Sequence, residues 1–240
     1  MRPLEFYVKL HIRRLEDFKQ SVREIVSVLR VHTRGLRRCD WFVADDKMEA
    51  IAMLAWADHA TLQAHCGLAR AGMRRLLACC ELTVTSLGAL SPEALAEPDD
   101  LSVRVLHYAD GLGLQQGLAA QAAGPPIEIA TTFHIQAAKL EIFKQDAAVL
   151  TEIVRRNDPG TIRYDWFYDD ASLLCCAMDT YRDSEAMFAH MRNCHEAHNK
   201  LLVHSTMTTE FLGDLPEAAA AAVAKYHPYI APFYCGLNRR

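Results

Sequence analysis

The sequence predicts an α+β protein made of two tandem copies of one β-α-β-β-α-β module. Two observations support this prediction. Short motifs recur along the chain at a constant spacing, and apolar residues between them alternate between strand and helix periods. A third observation separates the copies, because residues 115–126 (QQGLAAQAAGPP) are rich in small residues and glycine and end in Pro-Pro.

The repeat is clearest in the motif Asp40-Trp41-Phe42, which recurs as Asp165-Trp166-Phe167 at an offset of 166 − 41 = 125 residues. The first strand needs a smaller offset, since His11 matches His134 at 134 − 11 = 123. We therefore predict a first module over 1–114, a linker over 115–126 and a second module over 127–240. The 125-residue offset also pairs Gly35 with Gly160, Asp58 with Asp183, His65 with His190, and Gly111-Leu112 with Gly236-Leu237.

The second copy shows the elements of the module most clearly. Residues 127–136 are rich in β-formers, and Leu140, Phe143, Ala147 and Leu150 have helical spacing in the next segment. The full prediction in chain order is a strand at 127–136, a helix at 138–156, a turn at 157–160, strands at 161–168 and 173–181 around an Asp169-Asp170 hairpin, a helix capped by Asp183 or Ser184 and running to about 203, a strand at 205–212, a helix opened by 214–217, and an aromatic strand-like tail.

This element order is the ferredoxin-like pattern, in which both helices lie on one face of the sheet. The other face needs a cover, and the second copy is the available one. We therefore expect the copies to pair as a pseudo-dimer within one chain, with the two sheets closing a barrel that can hold a small ligand. A further homodimer of whole chains stays open.

Composition excludes several classes of function. The formal net charge of -4 and a pI of about 6.2 give no electrostatic case for nucleic acid. No apolar run approaches a membrane span, and the N-terminus lacks the apolar region of a signal peptide, so we expect a cytoplasmic protein. The eight cysteines lack C-x-x-C spacing and are expected to be reduced and buried.

Several motifs resemble the antibiotic biosynthesis monooxygenase family of dimeric α/β barrels. They are the run PGTIRYDWFYDD, the strand that ends in Asp179-Thr180-Tyr181, and the segments RDSEAMFAHM and CHEAH. The resemblance covers 127–212 well and 4–88 in degraded form. It implies the barrel fold and, in various members, cofactor-independent oxidation of quinols or anthrones, haem degradation or isomerisation.

The haem-degrading branch matches this chain poorly. The resemblance implies an asparagine on the first strand with a tryptophan and a histidine on the second helix. Here the strand position holds His134 or His11, and the tryptophan position holds His190 or His65. Of the three implied residues, only the helix histidine has a counterpart in this chain, either His195 or His198. Haem is therefore a minor alternative, and no other cofactor is expected.

We select four residues of the second copy as candidate catalytic groups: His134, His190, Asp179 and Tyr181. The histidines suit proton abstraction. Asp179 stands where the first copy has Leu54, and a carboxylate in an apolar strand is costly unless it is paired or functional. The candidate substrate-binding residues are Trp166, Phe133, Asn193, His198, His11 and His65.

Each candidate also has a structural interpretation. Strand histidines commonly bond to solvent or to a carbonyl group, and aromatic residues at strand spacing commonly fill a core. Asp40 and Asp165 are expected to form cross-strand ion pairs on the solvent side. The spacing of His195 and His198 does not reproduce a metal motif, so we predict no metal site.

The leading hypothesis is a cofactor-independent monooxygenase that acts on a small aromatic or quinol-type substrate. The differences between the copies favour an alternative, a protein that binds or senses a small molecule without catalysis. Haem binding or degradation is the third possibility.

Overall fold

The structure is a computed structural model that describes residues 3–88, 90, 102–113 and 124–237. It contains two compact units, one formed by Met1–Val105 with Ala231–Arg240 and the other by Leu106–Ile230. Among the described residues, no helix combines the length and the apolar character needed to cross a membrane.

The regular elements follow the predicted order in both copies. The first copy contains β1 (Leu4–Ile12), α1 (Leu15–Arg30), β2 (Leu36–Ala44), β3 (Glu49–Trp56), α2 (His59–Cys79), β4 (Cys80–Leu87) and β5 (Val103–Gly111). The second contains β6 (Ile127–Ile135), α3 (Leu140–Asn157), β7 (Thr161–Asp169), β8 (Leu174–Tyr181), α4 (Ser184–His204), β9 (Ser205–Leu212), α5 (Glu217–Val223), β10 (Tyr229–Ala231) and β11 (Phe233–Gly236).

The antiparallel pairing in each unit is the split βαβ arrangement that the sequence predicts. In the first unit β1 lies between β3 and β4, and β2 pairs with β3. In the second unit β6 lies between β8 and β9, and β7 pairs with β8. The predicted α+β class and the two ferredoxin-like modules are therefore confirmed.

The helices form where the apolar spacing predicts them. The buried face of α3 includes Phe143, Ala147, Leu150 and Val154, which recur every three or four residues. The predicted cap of α4 is also present, because the Asp183 carboxylate accepts a hydrogen bond of 2.8 Å from the Ala186 backbone N–H. In the first copy, Asp58 caps α2 in the same way.

The connection between β7 and β8 is longer than the predicted Asp169-Asp170 hairpin. It spans 170–173, and Leu173 takes a left-handed conformation with φ of 55°. The helix α5 confirms the extra helix of the second copy. Its expected counterpart in the first copy, and most of the predicted linker, fall outside the described residues.

The last strand of each repeat completes the sheet of a unit at its β2 or β7 edge. β11 pairs with β2 in the first unit, and β5 pairs with β7 in the second. The compact units therefore differ from the sequence repeats at their ends. The cysteines are all free thiols, and six of the eight are buried; Cys66 is exposed and Cys235 is half-buried.

Candidate functional site

The candidate site lies on the helix-facing side of the sheet in the second unit. Cys175 and Ala177 of β8 pack in the core with α3 and α4, and Tyr181 packs with residues of α4. Since alternate strand residues share a face, Asp179 lies on this side too. Its side chain is buried, with 9% of the residue exposed.

Helix α4 supplies a polar stripe above this part of the sheet. His190, Cys194 and His198 are spaced by four residues, which places them on one face of the helix. His190 and Cys194 are buried, and His198 is half-buried at the end of the stripe. The ring centroids of His190 and His198 are 5.2 Å apart.

The turn after α3 brings a carboxylate to the same place. The Asp158 N–H donates to the Val154 carbonyl at 3.0 Å, and the Thr161 N–H donates to the Asp158 carbonyl at 3.0 Å. These bonds fix the backbone and leave the side chain directed at α4. Asp158 Oδ2 lies 2.9 Å from His190 Nδ1, and Asp158 Oδ1 accepts from Asn193 Nδ2 at 2.6 Å.

The charge of Asp158 determines which ring nitrogen of His190 acts as the hydrogen-bond donor. Burial alone would raise the pKa of Asp158, but hydrogen bonds from His190 and Asn193 outweigh burial, and the pKa is lowered. Asp158 is therefore a carboxylate at neutral pH, so the Nδ1 atom of His190 carries the proton and donates it. In the neutral ring Nε2 is then an acceptor. That atom is buried and has no hydrogen-bond partner among the described residues.

Aromatic rings pack against this buried imidazole. The ring centroids of Tyr164 and Tyr181 lie 5.4 and 5.1 Å from that of His190. Burial raises the pKa of both phenols well above the ordinary value, so both stay neutral. Trp166 contacts Tyr164 at 5.5 Å and stacks on Phe133 at 5.8 Å, which extends the aromatic wall.

Two further groups near His190 have strongly shifted pKa values. Burial raises the pKa of Asp179 to about 7, against the attraction of His190 and Arg163. Burial, with the neighbouring His190 and His195, lowers the pKa of His198 to about 4. The cluster thus holds one ionised carboxylate, one carboxyl group that titrates near neutrality and one neutral histidine.

The structure brings together seven of the ten residues selected from the sequence: His190, Asp179, Tyr181, Trp166, Phe133, Asn193 and His198. His134 and His11 do not join them. Both lie near the ends of their strands and are exposed.

The equivalent site in the first unit has different chemistry. Trp56 Nε1 donates a hydrogen bond of 3.0 Å to His65 Nδ1, so this nitrogen is the acceptor. In the neutral ring the proton of His65 is therefore on Nε2, the opposite tautomer from His190. The positions of Asp158 and Asp179 hold Thr33 and Leu54.

The repeated aspartates of the Asp-Trp-Phe motifs are not solvent-side ion pairs, which corrects the expectation from sequence. Asp40 and Asp165 are 1% and 2% exposed. Each accepts a hydrogen bond of 2.9 Å from the arginine two residues earlier on its own strand, Arg38 or Arg163. Asp165 also accepts from the Gly113 N–H at 2.8 Å, which ties the segment after β5 to β7. Their role is structural.

Sequence reasoning missed three members of the cluster. Asp158 was assigned to the turn 157–160, where aspartate is common for local reasons. Tyr164 lies in the run PGTIRYDWFYDD but is not among the selected residues, and Cys194 falls only under the expectation that the cysteines are reduced and buried. The available signal was the difference between copies, since the matching residues are Thr33, Cys39 and Ala69.

The fold of this chain is shared by proteins of known structure. Three solved structures, all at 10% identity or less, share this fold over most of the chain. One is a proposed monooxygenase from Lactobacillus acidophilus NCFM (10% identity, TM-score 0.57, 87% of this chain and 92% of that chain). Another is a proposed monooxygenase from Fusobacterium nucleatum (9%, 0.60, 86% and 89%), and the third is an anthrone oxidase-like protein (8%, 0.51, 87% and 90%).

These likenesses confirm the predicted fold class, that of the dimeric α/β barrel proteins. Residues 126–222 match the model of the antibiotic biosynthesis monooxygenase family. The matched range covers most of the second module, where the sequence motifs resemble this family. None of the curated proteins matches the chain.

The residues present do not fit the haem set that the resemblance implies. His195 is exposed on α4, with Asn199 Nδ2 at 3.3 Å from its Nε2 atom. His198 packs against His190, with ring centroids 5.2 Å apart. The asparagine and tryptophan positions are also changed, so two of the three residues of the haem set are missing here.

Proposed function

We propose that the second unit is a cofactor-independent monooxygenase site for a small aromatic or quinol-type substrate. The observation that carries the proposal is the Asp158–His190 pair, because it leaves a buried acceptor nitrogen among aromatic rings, with no hydrogen-bond partner in the part of the chain that the structure describes. The family match of residues 126–222 agrees with this chemistry without naming a substrate.

The first step is proton abstraction. Asp158 holds Nδ1–H of His190 and stabilises the imidazolium that forms when Nε2 takes a phenolic proton from the substrate. Asn193 keeps the carboxylate in place through its second oxygen. The resulting phenolate is electron-rich and can reduce dioxygen.

The second step consumes one molecule of dioxygen. The substrate carbanion or phenolate transfers electrons to dioxygen and forms a carbon–oxygen bond to it. Cleavage of the O–O bond leaves one oxygen atom on the substrate carbon as a carbonyl group, and the other leaves as water. The substrate supplies all four electrons, so neither a reductant nor a bound cofactor is needed.

Asp179 suits the proton donation that accompanies O–O cleavage. Because burial raises the pKa of Asp179 to about 7, this side chain is protonated in a large fraction of the molecules at neutral pH. It lies on the same face of β8 as Tyr181, whose hydroxyl group hydrogen-bonds to it. We assign Tyr181 the role of positioning this acid.

The aromatic wall suits a planar substrate and excludes water. Trp166 and Phe133 already stack on each other, with planes inclined by 28°. Offset stacking of this kind is the arrangement that aromatic rings prefer. A dry site also strengthens the interaction between His190 and Asp158.

Oxygen uptake with a panel of quinols and anthrones tests the proposal in metal-free buffer. We expect turnover by the wild-type chain and a loss of about 10²–10⁴-fold in His190→Gln, the range that a general base supplies. The matched control is His65→Gln in the first unit, which should retain turnover. Equal activity of His190→Gln and wild type, with the panel oxidised, would exclude His190 as the base.

The burial of Asp158 and His190 favours a second candidate, binding of a small molecule without turnover. A ligand that binds the folded state raises the unfolding temperature. Thermal stabilisation by a panel member with no oxygen uptake would select this candidate. A Soret band after haem addition, lost in His198→Ala, would instead select haem binding.

A further inference from the structure

Three potential metal ligands converge on the inner side of α4. Asp158 Oδ2, His190 Nδ1 and Cys194 Sγ lie within 4.8 Å of one another, and all three residues are buried. We propose that these residues form a binding site for a zinc-type divalent ion. Carboxylate oxygen, imidazole nitrogen and thiolate sulfur are all established zinc ligands.

The distances between the three donor atoms suit one shared ion. Cys194 Sγ lies 3.6 Å from His190 Nδ1 and 3.7 Å from Asp158 Oδ2, and the nitrogen and oxygen are 2.9 Å apart. A point at about 2 Å from each atom exists for such a triangle, and zinc takes nitrogen and oxygen at about 2.0–2.2 Å and sulfur at about 2.3 Å. The site therefore needs only sub-ångström adjustment.

A fourth donor is close at hand. Asp158 Oδ1 is now held by Asn193, whose amide donates to it at 2.6 Å. Asn193 is exposed, so its side chain has room to move away from the carboxylate. Rotation of this amide would open a path for an ion and release the second carboxylate oxygen.

The repeat shows that the fold itself does not require these donors. The first unit keeps the histidine as His65 but has Thr33 and Ala69 at the positions of Asp158 and Cys194. There, His65 Nδ1 accepts from Trp56 and cannot bind an ion in that arrangement. Only the second unit combines the oxygen, nitrogen and sulfur donors.

A second observation comes from the far side of the His190 ring. An ion on Nδ1 moves the ring proton to Nε2, which then becomes a donor. Asp179 Oδ1 is a buried acceptor without a hydrogen-bond partner among the described residues, and it belongs to the same cluster. A carboxylate that accepts from the outer N–H is the usual support of a metal-bound histidine.

The metal site and the proposed base use of His190 exclude each other. A ring with an ion on Nδ1 and a proton on Nε2 has no lone pair for a substrate proton. Zinc loading is therefore expected to stop the oxidation proposed above. The metal proposal does not depend on that reaction, since binding has its own readout.

Cobalt and zinc binding to the full chain test the site. We expect one equivalent of zinc per chain, and a near-ultraviolet thiolate charge-transfer band when Co²⁺ is added. The variant Cys194→Ala copies Ala69 of the first unit, and in it the thiolate band should vanish. Its affinity for zinc should fall by more than ~10–100-fold, which is the cost of losing a residue that only supports a metal ligand. Cys66→Ala, which changes the exposed cysteine, should bind like wild type.

Two results would overturn the proposal. One is a thiolate band or zinc affinity that is the same in Cys194→Ala as in wild type. The other is failure of the wild-type chain to retain stoichiometric zinc after desalting. Circular dichroism of Cys194→Ala checks folding, and Asp158→Asn provides a second variant, for which the same loss of affinity is expected.

Discussion

Replacement of the buried acid Asp179 by leucine should remove a large pH dependence of stability. Leu54 occupies this position in the first unit, so the strand can hold the side chain. Burial raises the pKa of Asp179 from 3.8 to about 7. At about 1.4 kcal/mol for each pH unit between these values, the folded state loses about 4 kcal/mol when the carboxyl group ionises.

The direction follows from proton binding. The folded state binds the Asp179 proton more tightly, so this contribution is fully present below 3.8 and is lost as the pH rises through about 7. The free energy of unfolding of wild type should therefore fall relative to Asp179→Leu, by about 1.4 kcal/mol per pH unit between about pH 5 and pH 7. His198 titrates in both proteins and largely cancels in the difference.

Urea titrations at several pH values measure this difference. Hydrogen exchange of peptides from β8 reads the second unit separately, since two units need not unfold together. Asp158 does not interfere, because its lowered pKa acts below the window. Parallel stability curves for wild type and Asp179→Leu would refute the assignment of a carboxyl group that titrates near neutrality.

Two other substitutions test the packing that supports the site. Gly111→Ala should cost about 1–3 kcal/mol, the range for overpacking, because a Cβ atom would collide with the Asp165 side chain and φ is 152°. Gly67→Ala in α2 has open space and should stabilise by about 0.5–1 kcal/mol; equal effects in urea unfolding would contradict the reasoning. Phe143→Ala should cost about 3–5 kcal/mol because the ring is fully buried, whereas the half-exposed Ile142→Ala should change the unfolding midpoint little.

The sequence predicted the fold well because each element leaves a local signal. The periodic apolar face of α3 and the Asp183 cap are such signals, and both appear in the structure. The repeat added a second, independent copy of each signal. The pairing of β5 with β7 and of β11 with β2 was not predicted, because strand partners depend on contacts between distant residues.

The site was only partly predictable for the same reason. His190 was selected because of its residue type, and Asp179 because the first copy has Leu54 at the matching position. Asp158 lies 32 residues before His190 in the chain, and only the fold places them in contact. The sequence also did not show which face of its strand each side chain occupies. His134 matches a motif position, but it is exposed and lies near the end of its strand.

Divergence between the copies explains how one fold holds two states of the same histidine. In the first unit a tryptophan N–H fixes His65 as an acceptor at Nδ1, and burial lowers its pKa. In the second unit Tyr181 replaces that tryptophan, and Asp158 is the hydrogen-bond partner of Nδ1. As a result, the ring proton is on Nδ1 in His190 instead of on Nε2 as in His65, and Nε2 of His190 is a buried acceptor. A Tyr181→Trp variant should therefore compete with Asp158 for Nδ1 and abolish oxidation and metal binding together. Loss of only one of them would show that the two properties do not both depend on the contact between Asp158 and Nδ1.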